Sequence, residues 1–278
     1  MRAAGSKDAT AADAPLRRDV RLLGDQLGRI LVEQEGRQLL DAVETIRRLS
    51  REAREHGDAA RRGELAQAVA RLDDRRQADV LRAFGLYFQL ANLAEQHHRQ
   101  RRRQDATRSD GAPRESLAAA FERLAAAGVP DGELREAGAR LSLELVLTAH
   151  PTESARRGVL ATHQRLSELL ERLDRGESVA DDLAEEITLL WQSDEVRPAR
   201  PRVVDEIRHG LWFFESSLVD AAERVLERYR RGAPGAPCPL HFGSWIGGDT
   251  DGNPAAGPET IEEALARSRS LALTAYRD

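Results

Sequence analysis

One cysteine, one lysine and no long apolar run: these shortages narrow the chemistry open to this chain before any motif is considered. With Cys238 alone, intrachain disulfides, cysteine-rich zinc sites and CxxC redox chemistry are excluded. With Lys7 the sole lysine, the body of the chain has no P-loop lysine, Schiff-base lysine or Ser-Lys dyad. No stretch approaches the roughly 18 to 20 apolar residues that a transmembrane helix needs, and MRAAGSKDATAADAP has neither a signal-peptide nor a lipidation pattern. Neither charge sign dominates. The 42 basic and 47 acidic residues leave a net charge of -5, which argues against a nucleic-acid face and against a polybasic membrane anchor. The expectation is a cytoplasmic chain with neither nucleic acid nor membrane as partner.

What is present is enough for a folded core. Hydrophobic residues make up 41% of 278, beside a heavily solvated 32% charged fraction. Residues 1–14, rich in Ala, Asp, Gly and Ser, can bury little and are expected to form a disordered tail. Helical periodicity then takes over. Leu16, Val20, Leu23, Leu27 and Leu31 form one stripe, and Leu39, Val43, Ile46 and Leu49 a second. A third runs through Val80, Phe84, Tyr87, Phe88 and Ala91. The segment 99–116 joins the basic run Arg99–Arg103 to a Gly/Pro break and is expected to be an exposed loop. Without interleaved aromatics, those arginines read as cations closing a helix rather than as a nucleic-acid patch.

The period changes at Leu143–Leu147, a short apolar run ending before Pro151, which reads as a strand. Thr152 can cap a following helix through Leu160, Leu166, Leu169 and Leu173. Helices are expected over about 179–194 and 203–230 and again from Pro258, with a second strand over Leu240–Ile246 after the linker GAPGAPCP. No internal repeat and no clear domain boundary stand out. Trp191, Trp212 and a buried Cys238 read as core.

Two stretches could carry chemistry. His150 sits between a predicted strand end and a helix N-terminus, the location that faces the active site in parallel α/β architectures; a histidine bonded into a turn would sit there equally well. An imidazole can exchange a proton near neutral pH, since its unperturbed pKa is about 6.5. Arg156 and Arg157 follow in the first helical turn, where cations oppose the helix dipole unless an anion such as phosphate or carboxylate binds. Surface pairing with Glu153 is the alternative. The second stretch, Gly243–Pro254 (GSWIGGDTDGNP), holds four glycines, Trp245 and two aspartates. Asp249, Asp251 and Asn253 have EF-hand-like spacing, but Pro254 and Thr260 stand where that loop needs Gly and Glu, so calcium binding fails the pattern. A tight loop remains, with Trp245 as a wall. His97 and His98 face different sides of their helix, and His56, His163, His209 and His241 have no near partner at metal-ligand spacing.

Together, VLTAHPTESARR (Val146–Arg157) and GSWIGGDTDGNP resemble the two N-terminal hallmark motifs of phosphoenolpyruvate carboxylases. LRRDVRLLGDQLGRIL, RAFGLYFQLANLAEQHH, WQSDEVR and VDEIRHGLWFFESSL are similar to family sequence in the same order, so the resemblance covers nearly everything after residue 15. It implies a mainly α chain, the N-terminal portion of a helix-rich α/β (TIM-type) barrel, with residues 15–278 part of a single domain that ends before the barrel closes. It implies carboxylation of phosphoenolpyruvate with bicarbonate to oxaloacetate and phosphate, assisted by Mg2+ or Mn2+ whose ligands lie outside this chain. By the resemblance His150 is the catalytic histidine that takes the carboxyphosphate proton. Trp245 borders the bicarbonate pocket, and Arg156 and Arg157 bind a phosphorylated effector. A homotetramer is implied for the full-length form.

Two departures accompany the resemblance. Thr250 stands where the family usually has Arg, and the sequence stops at Asp278, about a third of the way along a family member. The metal-binding carboxylates, the Arg- and Gly-rich phosphate loop and the catalytic lysine would lie beyond that point. The chain is therefore expected to be inactive alone. The competing expectation is a non-catalytic helical module for anion binding or oligomer assembly.

Overall fold

The computed structural model describes residues 13–56, 59–109, 115–148, 156–193 and 201–277. Residues 1–12 of the expected tail lie outside these, and the first helix is under way at Ala14. The architecture is mainly helical. In chain order the elements are α1 (Ala14–Glu35), α2 (Arg37–His56), α3 (Ala59–Ala70), α4 (Asp74–Ser109), α5 (Leu117–Ala126), α6 (Asp131–Arg140) and β1 (Leu143–Leu147). There follow α7 (Arg157–Asp174), α8 (Ala180–Gln192), α9 (Val203–Phe213), α10 (Val219–Gly232), β2 (Leu240–Ser244) and α11 (Pro258–Arg277). A π-helical turn, Phe214–Leu218, joins α9 to α10. None of the described helices is long and apolar enough to cross a membrane.

The chain forms two compact units, Met1–Gln104 with Arg156–Glu195, and Asp105–Ala155 with Val196–Asp278. In the first, α1, α2, α4, α7 and α8 close one hydrophobic core around Leu23, Ile30, Leu39, Leu90, Leu166, Leu170, Leu183 and Ile187. The stripes expected for α1 and α2 point into it, with Leu16 and Val20 half-buried at its edge. Trp191 is core as expected, with the Arg82 guanidinium 4.8 Å above its ring.

Helix α4 differs from expectation in two ways. Its buried arc is Val80, Ala83, Leu86, Leu90, Leu93 and Ala94, whereas Phe88 is exposed with Leu81 on the opposite side. A step of about 100° per residue carries Phe88 past the edge of the arc that Phe84 and Tyr87 border. The helix also continues through the segment expected to be a loop, ending at Ser109. Arg and Gln are good helix formers, no Gly or Pro intervenes before Gly111, and Arg101 is anchored to carboxylates on two other helices. His97 and His98, adjacent on the helix, are both buried, because α4 is covered over a wide arc.

In the second unit β1 and β2 pair in parallel, with Leu143 opposite Leu240 and Leu147 opposite Ser244. The expected second strand stops two residues early, at Ser244, because the backbone turns: the Trp245 carbonyl accepts the N–H groups of both Gly248 and Asp249, at 3.0 and 3.1 Å. Leu143, Leu145 and Val146 are exposed, a pattern unlike the alternation of a one-sided sheet. Helix α10 packs on α5, bringing Phe121 against Tyr229. Trp212 is half-buried among His209 and Phe213. Cys238, expected to be buried, is exposed, since it sits between two prolines on the approach to β2.

Candidate functional site at the strand ends

Parallel pairing puts the carboxyl ends of β1 and β2 side by side, the position at which α/β folds gather functional groups. The pairing continues one step beyond the strands: the Trp245 N–H donates to the Leu147 carbonyl at 2.9 Å. This bond ties the glycine-rich stretch to the segment leading through Thr148 toward His150. His150 itself lies outside the described residues, as does Glu153.

Trp245 is 62% exposed, and its backbone is held at both ends while the indole projects outward. The loop after it is tied to itself. Asp249 Oδ1 accepts the Gly252 N–H at 3.2 Å, and Asn253 Oδ1 accepts the Ala255 N–H at 3.0 Å. The second is an Asx turn and the first closes one residue later, so both Asp249 and Asn253 shape the loop. Thr250 and Asp251 are exposed.

The loop rests on α9 and α11 through two glycines. A Cβ at Gly210 of α9 would lie 2.7 Å from Ile246 Cδ1. A Cβ at buried Gly247 would lie 2.8 Å from Ile207 Cδ1 and 3.2 Å from Ala264 Cβ, and its φ of +86° is one that side chains rarely adopt. The Thr260 hydroxyl, in the first turn of α11, reaches the Gly247 carbonyl at 2.9 Å. Neither Gly210 nor Thr260 stood out in sequence, since one lies within a helical pattern and the other beyond the motif.

Arg156 and Arg157 belong to the first unit. Arg156 is the N-cap of α7 and half-buried, Arg157 begins the helix and is exposed, and the helix has neither a side-chain cap nor an acidic residue in its first turn. Helices α6, α8 and α9 all carry two acidic residues there. The opposite end of α7 holds a cluster that sequence reasoning missed. Asp174 accepts from Arg18 Nη2 at 2.9 Å, from His97 Nε2 at 2.8 Å and from Arg101, which also binds the fully buried Asp19 of α1. The available signal was Asp19 itself, an acid one residue from Val20 of an apolar stripe.

Among the described residues no three His, Cys, Asp or Glu side chains converge as metal ligands, so no described residue is assigned to a divalent ion.

The described fold is mainly helical, with one parallel strand pair whose second strand leads into a glycine-braced loop bearing Trp245. The chain is a member of the phosphoenolpyruvate carboxylase family, whose model matches residues 16–278. It is similar to the phosphoenolpyruvate carboxylase of Hahella chejuensis, 36% identical over 278 residues, covering 94% of this chain and 31% of that protein. Those of Alcanivorax borkumensis and Ralstonia nicotianae are each 37% identical, covering 95% and 98% of this chain and 32% and 30% of theirs. The chain thus spans about a third of the length of these relatives.

Proposed function

We propose that this chain supplies the N-terminal part of an enzyme that carboxylates phosphoenolpyruvate with bicarbonate, giving oxaloacetate and phosphate. Family membership supports the reaction class, and one observation ties it to this chain: the 2.9 Å bond from the Trp245 N–H to the Leu147 carbonyl, which joins the two motif-bearing strand ends. In this reading residues 15–278 are part of one helix-rich α/β barrel domain, and β1 and β2 are early barrel strands.

His150 then acts as the base that accepts the proton of carboxyphosphate after bicarbonate has attacked the phosphoryl group, favouring release of CO2 next to the enolate. Trp245 forms an apolar wall of the bicarbonate pocket; its exposed indole, held on a fixed backbone, excludes water from one side of the reacting carbon. Arg156 and Arg157 bind a phosphorylated effector at the uncapped start of α7. The divalent ion, Mg2+ or Mn2+, steadies the enolate oxygen when bound, and its ligands are assigned to other parts of the polypeptide. The active form is a homotetramer in the cytoplasm.

The test joins this chain to the complementary two thirds of a relative and replaces His150 with Asn. Oxaloacetate formation should fall by about 10² to 10⁴, the range for a lost general acid or base, while bicarbonate-dependent release of phosphate and pyruvate survives in part. Unchanged oxaloacetate formation would make His150 structural. Equal loss of both products would place its role at or before phosphoryl transfer.

A further inference from the structure

We propose that Thr260 is a positioning residue for Trp245, its hydroxyl holding the indole-bearing turn against the start of α11. The proposal rests on the reading of Trp245 as a pocket wall. The Thr260 side chain is half-buried and meets three backbone groups. Its Oγ1 accepts the Gly257 N–H at 2.9 Å, and lies 2.8 Å from the Gly257 carbonyl and 2.9 Å from the Gly247 carbonyl. A hydroxyl carries one proton, so the two carbonyls share it. The bond to Gly257 is local to the helix start, which Pro258 already presets as the first helical residue. The bond to Gly247 spans thirteen residues and is the one that fixes the loop.

Gly247 cannot be held by a side chain of its own, because its φ of +86° and the Ile207 and Ala264 atoms around it exclude a Cβ. Its backbone must therefore be fixed from outside. The packing of Ile207 and Ala264 limits approach, and the Thr260 hydroxyl supplies the directional bond. Gly247 is two residues after Trp245, whose carbonyl already accepts from Gly248 and Asp249 and whose N–H is committed to Leu147. Movement of the Gly247 carbonyl would therefore be passed to both ends of the Trp245 peptide. Serine can make the same bonds, and valine, of nearly the same shape, can make none.

The test labels the 278-residue chain with 5-fluorotryptophan. This gives three 19F resonances, for Trp191, Trp212 and Trp245, each assigned by a single Trp→Phe replacement. Thr260→Val should move the Trp245 resonance beyond its line width while those of Trp191 and Trp212 stay, and hydrogen exchange at Gly257 should quicken by about 5- to 10-fold. Thr260→Ser should restore the parental spectrum. An unmoved Trp245 resonance in Thr260→Val, joint displacement of all three resonances, or Thr260→Ser behaving like Thr260→Val would each overturn the proposal. Because no substrate is involved, its failure is separate from failure of the carboxylation reading.

Discussion

His97 Nε2 lies 2.8 Å from Asp174 Oδ2, joining a buried ring in the middle of α4 to the last residue of α7. An acid at a helix C-terminus opposes the dipole, and here it is offset by three donors, since Arg18 and Arg101 reach the same carboxylate. His97 Nδ1 is buried without a hydrogen-bond partner, so Nε2 is the ring atom that links α4 to the cluster.

Acid should weaken the first unit through Asp174. Burial by itself would raise the carboxyl pKa, but the hydrogen bonds from Arg101, Arg18 and His97 outweigh it and hold the group at about 2. Because the folded value lies below the unfolded one, near 3.9, this contribution is fully present above pH 4 and is lost as the pH falls toward 2. Urea midpoints at pH 7, 4 and 3 should decline over that window, and Asp174→Asn should flatten the decline.

Removing Arg101 should be more damaging than removing any exposed arginine. Asp19 is fully buried, and loss of the guanidinium that it shares with Asp174 leaves a buried carboxylate short of a partner. Arg101→Ala is expected to cost about 3–5 kcal/mol, against less than about 1 kcal/mol for Arg99→Ala, whose pair with Glu95 is on the surface. Denaturant melts of the two variants read the difference.

A third expectation concerns the second unit. A Cβ at Gly232 would fall 2.0–2.3 Å from three ring atoms of Phe121, so the ring must move away from its contact with Tyr229. Gly232→Ala should destabilise by about 1–3 kcal/mol, the usual range for overpacking, and Phe121→Ala in the same chain should recover part of that loss. Melts of the single and double variants check it.

Arg156 and Arg157 carry a prediction for the joined full-length enzyme. Replacing both with Ala should reduce activation by a sugar phosphate by about tenfold while the basal rate changes less than about twofold, because two cations at an uncapped helix start matter most when an anion is there. Parallel assays with and without effector decide it. Equal loss of both rates would assign the pair to folding or to the substrate site.

The helices were legible because apolar residues spaced three and four apart define a face whatever lies opposite, as with Leu39, Val43, Ile46 and Leu49. The strand at Leu143–Leu147 was legible from its change of period. The motif around Trp245 could be read as a tight loop because glycine and Asx residues specify local backbone. Local rules misplaced the end of α4 and the exposure of Phe88 and Cys238, since each depends on which surface a distant segment covers.

Sequence alone therefore determined the helical character, the excluded thiol and lysine chemistries and the two stretches in which function is sought. Only tertiary structure decided that those stretches meet, through the bond from Trp245 to Leu147. It also decided that Asp19, Arg101, His97 and Asp174 form one ion-pair cluster reaching from the buried Asp19 to the surface, and that the Thr260 hydroxyl meets the Gly247 carbonyl. The physical reason is range. Periodicity and turn chemistry act between residues a few positions apart, whereas Trp245 and Leu147 come together only after the intervening chain has folded and closed the strand register.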